Sequence, residues 1–143
     1  MMKFEDIIEL LRAKGYEVEY GLTISFDVSG ETFKAFADAI AVVNGSRHIL
    51  VKREEVARPL TPLERRTIAI ARLFNVFGFA ILTNEVEVSV LDVLNGKRVS
   101  IEEIPNADEV LLRQIDFDEE REKRIVAAIG SIRCSCCEDR CTI

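Results

Sequence analysis

The sequence predicts a mixed α/β fold, a mixed sheet flanked by helices. Three observations carry this expectation. Apolar residues recur at helical spacing in separate stretches, at Phe4, Ile7, Ile8 and Leu11 and again at Leu63, Thr67, Ile70, Ala71 and Phe74. Segments rich in β-branched and aromatic residues lie between them. The dipeptide Asn44-Gly45 joins two such segments, and Asn-Gly between apolar runs is a strong hairpin signal.

In chain order, the first helix starts at Phe4 and ends near Gly15. Residues 16–26 read as one or two short strands, and Ser29-Gly30 as a turn. Residues 33–43 and 48–54 are the arms of the Asn44-Gly45 hairpin, and the unbroken apolar run Ala39–Val43 predicts burial on both faces. Thr61-Pro62-Leu63-Glu64 reads as a helix start, with Thr61 as cap, Pro62 at the first position and Glu64 closing a capping box. That helix is expected to run to about Asn75, with Gly78 closing it. Residues 79–83 form a strand, and alternating Val86, Val88 and Val90 a half-exposed one before the Asn95-Gly96 turn. Ala107–Gln114 is expected as a short helix. Asp118–Ala128 is expected as a longer one, supported by Glu119/Lys123 and Glu120/Arg124 and ended by Gly130.

At 143 residues the chain fits one domain, expected over 1–130, followed by a Cys-rich tail over 131–143. No apolar run approaches the roughly 20 residues of a bilayer span, and the charged N-terminal stretch does not resemble a signal peptide. The expectation is a cytoplasmic protein with no membrane partner. A single Gln, no Trp and many Glu and Arg give a thermophile-like composition. The net charge of −6 argues against a generally basic nucleic-acid binder, but the charge is uneven. Seven basic residues face three acids between Arg47 and Arg72, whereas nine acids face four bases between Ile101 and Arg124.

The hairpin carries the main chemical signal. Asp38 precedes one strand, and Lys52 and Glu54 lie near the end of its partner. Residues two apart on a strand share a face, so Lys52 and Glu54 point the same way, with Asp38 beside them. Two carboxylates and a lysine can hold a divalent metal and a water nucleophile; the same residues can also be a solvated strand end. Asp38, the apolar strand, Asn44-Gly45, the second strand and the following helix together resemble the N-terminal nuclease domain of type I restriction enzyme R subunits, in the PD-(D/E)xK superfamily. The resemblance covers about two-thirds of the chain, from Phe4 to Ile101. It implies a restriction-endonuclease-like fold, DNA as substrate and Mg²⁺ at Asp38 and Glu54, with Asp38, Lys52 and Glu54 as catalytic residues. This chain departs from the family at one point: it reads Lys52-x-Glu54 where the family has Glu-x-Lys. The inversion moves the charges by roughly 6–7 Å, two strand rises. Glu64 could replace the missing acid from the helix, as in some branches of the superfamily.

Arg58, Arg65, Arg66 and Arg72 follow the hairpin and are candidates for contacting DNA phosphates. His48, the single histidine, reads as a strand residue. All four cysteines fall in the last ten residues, at Cys134, Cys136, Cys137 and Cys141. Four thiolates suit Zn²⁺ or an Fe–S centre. The C-x-C-C-x₃-C spacing also allows disulfides, free thiols, or a site shared between chains in a homodimer. Two functions follow: a nuclease-fold protein acting on or binding DNA, with an intact or degenerate site, or a non-catalytic interaction module whose metal-binding Cys tail joins a separate protein partner.

Overall fold

The computed structural model describes residues 2–56, 58–111 and 116–134, with side chains as far as 128. The chain forms a three-layer α/β sandwich around one six-stranded mixed sheet. Helix α1 (Phe4–Ala13) leads into strands β1 (Glu17–Val28), β2 (Glu31–Val43) and β3 (Ser46–Arg53). Helix α2 (Glu64–Leu73) crosses to β4 (Phe79–Thr83), followed by β5 (Val88–Asp92), β6 (Arg98–Val99) and α3 (Glu119–Cys134). Strand order follows chain order. Only β3 and β4, joined by the α2 crossover, pair in parallel; the other neighbours are antiparallel. Among the described residues no helix is long and apolar enough to cross a membrane.

The core lies on both faces of the sheet because the central strands alternate between two apolar layers. Ile49 and Val51 of β3 meet Phe4, Ile7, Ile8 and Leu11 of α1, while Leu50 packs toward Ile68, Ala69, Ile70, Ala71 and Phe74 on the α2 side. Ala39–Val43 is buried throughout, as the apolar run requires. The β2–β3 hairpin turns at Asn44 and Gly45 with φ of 52° and 77°, and β1–β2 turns at Ser29 and Gly30 with 52° and 85°. Two successive left-handed residues match the right-handed twist of the flanking strands. The β2–β3 register slips between Ala41 and Val42. The slip leaves His48 as the extra residue, and its buried ring stacks on Tyr16 and meets the edge of Phe79.

Several boundaries differ from expectation for identifiable reasons. Residues 17–28 form one long strand, so Asp38 lies within β2 opposite that strand. Thr61 does not cap a helix. Thr61–Leu63 is a 3₁₀ turn, and Glu64 begins α2 with its carboxylate on Ser89 and Arg98 and no capping box. Asn75, with φ 62°, closes α2 through the Val76 N–H to Ala71 carbonyl bond. Gly78 instead makes room for the bulge, since a Cβ there would come within 2.3 Å of the His48 ring. At Ala107–Glu109 a single 3₁₀ turn forms and Val110 is already extended; residues 112–114 of that expected helix lie outside the described residues. Gly130 does not end α3, whose backbone continues to Cys134.

The long β1–β2 hairpin changes sides along its length. Val18, Ala39, Ala41 and Val43 pack in the α1 layer, whereas Leu22, Ile24, Ala35 and Ala37 pack in the α2 layer. Strict alternation would put Val18 and Leu22 on one face. The register itself is continuous, with Tyr20 opposite Ala39 and Leu22 opposite Ala37, and the change of side falls between these pairs, at Gly21, which has φ 63°. A Cβ on Gly21 would meet nothing within 4 Å, so substitution is opposed by backbone conformation alone. Gly21→Ala is therefore expected to destabilise the fold by about 1 kcal/mol, and Gly21→Asn by less, since Asn tolerates the left-handed region. Urea unfolding of the two variants measures this; equal stability of wild type and Gly21→Ala would refute the left-handed turn of the pleat at Gly21.

Candidate functional site

Asp38 sits in β2 across from Gly21, where the hairpin changes sides. Its neighbours Ala39 and Ile40 face Val51 and Leu50, so continuing that register places it opposite Lys52. There the strands part, and the Asp38 carboxylate replaces the next ladder bond by accepting the Arg53 main-chain N–H at 2.7 Å. The Lys52 ammonium lies 5.5 Å from the centre of the Phe36 ring, a cation–π contact. Glu54 follows β3; its N–H donates to the Thr83 carbonyl at 2.7 Å, and its side chain is 4% exposed with Arg58 3.8 Å away. Arg53 turns to the opposite side, over the Phe4 ring and 3.6 Å from Glu85, whose other oxygen accepts the Phe4 N–H and caps α1.

Mg²⁺ requires near-octahedral oxygen ligation at short distances. Here one carboxylate is tied to a main-chain amide, the other is ion-paired with Arg58, and an ammonium stands at the sequence position between them. This donor set does not fit Mg²⁺. Among the described residues no three Asp, Glu, His or Cys side chains converge as ligands. The Glu64 carboxylate is engaged by Ser89 of β5 and Arg98 of β6. Of the cysteines, Cys134 is the last residue of α3, and Cys136, Cys137 and Cys141 lie outside the described residues.

The arginines go to a second centre. Glu122, in the first turns of α3, is fully buried. Arg65 grips its carboxylate with both terminal nitrogens at 2.8 and 2.9 Å, Arg72 reaches it at 3.2 Å, and Arg121 closes the third side at 3.2 Å. Arg72 also donates to the Val93 carbonyl at 2.7 Å, fixing the β5–β6 turn to the same cluster. Arg66 is only 3% exposed and Arg58 belongs to Glu54. The four arginines thus do not form one surface. Burial pushes the Glu122 carboxyl up, but the hydrogen bonds and charges of Arg65, with Arg121 and Arg72 adding to them, outweigh burial and hold it below its ordinary value of 4.5.

Sequence reasoning missed Glu122, Arg98 and Arg121. A signal was present, since Glu122 lies one turn before buried Val126 on the apolar stripe of α3. The i, i+4 pair of its neighbours Glu119 and Lys123 does form, on the solvent side of the helix.

No protein-family model, curated protein or solved structure matches this chain.

Because the folded-state pKa of Glu122 is depressed, its contribution is fully present above the unfolded value and is lost as pH falls through the folded one. Melting curves from pH 7 down to pH 3 should show wild type losing stability below about pH 4.5. Glu122→Gln, which leaves the guanidiniums without a counter-charge, should cost about 2 kcal/mol at pH 7 and show a shallower acid loss. An unchanged melting temperature at pH 7 would show that the cluster does not hold α3.

Proposed function

We propose that the chain is a nuclease-fold interaction module that does not cleave DNA, with its Cys tail joining it to a separate protein partner. The observation carrying this reading is the state of the inverted motif. Lys52 stands where the related nucleases place a metal-binding carboxylate, and Glu54, where they place the lysine, is buried against Arg58. An ammonium repels a divalent cation and donates hydrogen bonds where a ligand must accept. The order of elements, with a β2–β3 hairpin, an α2 crossover and a parallel β4, supports the family resemblance.

In this reading Cys134, Cys136, Cys137 and Cys141 bind Zn²⁺ or an Fe–S centre, within one chain or across a homodimer, and the protein works inside the cytoplasm. The alternative is a protein acting on DNA through Arg58, Arg65, Arg66 and Arg72. The Glu54 and Glu122 partners of three of these, and the burial of Arg66, weigh against it.

DNA cleavage by wild type, Asp38→Ala and Lys52→Glu, with Mg²⁺ and with Mn²⁺, separates the two. Lys52→Glu puts a second carboxylate opposite Asp38 and leaves the Glu54–Arg58 pair intact. We expect no cleavage by wild type, and Mg²⁺ affinity at least about tenfold higher in Lys52→Glu by calorimetry, since a repulsive ammonium becomes a ligand. Metal-dependent cutting by wild type that Asp38→Ala abolishes would make the inverted motif a working site and end this proposal. Elemental analysis of anaerobically purified protein tests the tail separately; no metal together with four alkylatable thiols removes the metal from the reading.

A further inference from the structure

An open cleft of about 660 Å³ lies between α2, α3 and the β5–β6 turn. Its walls carry Arg65, Arg72 and Arg121, with Glu64 at one side and Glu122 beneath. Arg98 reaches the same rim through Glu64 and the Thr61 hydroxyl. Four guanidiniums therefore face two carboxylates in one recess of a protein whose overall charge is −6. Three of the guanidiniums crowd one carboxylate, and like charges at such separations repel. A guanidinium has five N–H donors, and Arg65 and Arg121 each use two among the described residues. Among the described residues the cleft thus carries a surplus of two positive charges, with donors to match.

We propose that this cleft binds a phosphate monoester on a small molecule of nucleotide size. The surplus charge matches a monoester, which carries about −1.5 to −2 at neutral pH, better than a singly charged phosphodiester. Arginine forks suit phosphate oxygens geometrically, and several can share one phosphate. Glu122 is the fixed anion that keeps Arg65, Arg72 and Arg121 in place before a ligand arrives, which lowers the ordering cost of binding. Ile68 and Ile125 supply an apolar wall beside the charges, as expected where one end of a ligand is charged and the other is not. Gly96 lies against the end of Ile68, 3.7 Å from where a Cβ would stand, and keeps that wall uncovered. The inference does not rest on the nuclease resemblance, because it uses only the charges and contacts of the cleft's own residues.

Calorimetric titration of the full chain with a nucleoside 5′-monophosphate, with inorganic phosphate and with a 3′,5′-cyclic nucleotide tests it. The 5′-monophosphate should bind saturably with Kd below about 1 mM, and the cyclic phosphodiester at least about tenfold more weakly. Arg121→Gln and, independently, Arg98→Gln should each weaken the monoester by about tenfold, the loss of one charge-assisted contact. Both side chains are more than half exposed, and circular dichroism with melting curves establishes that each variant is folded. The proposal fails if the monoester gives no saturable heat, if the cyclic nucleotide binds equally well, or if both folded variants bind the monoester as wild type does. Binding of a short oligonucleotide without binding of the 5′-monophosphate would also overturn it, and would favour DNA as the partner.

Discussion

The packing of α3 depends on one buried carboxylate. Glu122 is fully buried, and a carboxylate in that position is tolerated only when its charge is matched and its oxygens are hydrogen-bonded. Arg65 and Arg72 supply this from α2, and Arg121 from the residue beside it. The cluster is thus a rivet between two helices laid on the same face of the sheet. Val126 and Ile125 complete the contact with apolar surface, but that surface is small for a helix whose described side chains are mostly charged. Through Arg72 and the Val93 carbonyl the same cluster reaches the β5–β6 turn. One acid therefore couples α2, α3 and the far edge of the sheet.

The opposite edge is organised by backbone conformation. The β1–β2 hairpin is long enough to pass beyond the cover of α1, and its outer half needs an apolar partner. Turning the pleat at Gly21 gives Leu22, Ile24 and Phe26 to the α2 layer, where α3 also lies. Asp38 stands at this turn and satisfies the amide that the departing strand leaves open. Its placement thus has a structural cause in this chain. The bulge at His48 is a second local device: it brings a ring between Tyr16 and Phe79 and leaves room for no side chain at position 78.

The two centres differ in how charge is handled. At the hairpin, Asp38 meets a main-chain amide, Lys52 an aromatic face and Glu54 the Arg58 guanidinium. Two acids and two cations there are in balance. At the α2–α3 cleft, cations from three elements converge on fewer acids. Local excess charge held on rigid helices is the arrangement that recognises an anion; dispersed pairs are the arrangement that stabilises a strand end.

Much of this was legible in the sequence. Apolar periodicity located α1, α2 and the central strands, and Asn44-Gly45 set the β2–β3 hairpin, because side-chain period and left-handed turn preference are local properties of the chain. The spacing of Lys52 and Glu54 was also visible, since same-face spacing along a strand needs no tertiary information. The partners of charged side chains were not. Arg65 and Arg72 share a helix face, and that spacing suits a phosphate or a carboxylate equally well. Which one they meet depends on Glu122, 50 residues after Arg72 along the chain and brought to it only when α3 docks. The change of side at Gly21 and the bulge at His48 likewise arise from what each strand finds on its two faces. The sequence by itself determined α1, α2, the central strands and the hairpin turn at Asn44-Gly45. Tertiary structure alone decided which charges are neutralised, because long-range electrostatic pairing depends on distances that no local pattern encodes.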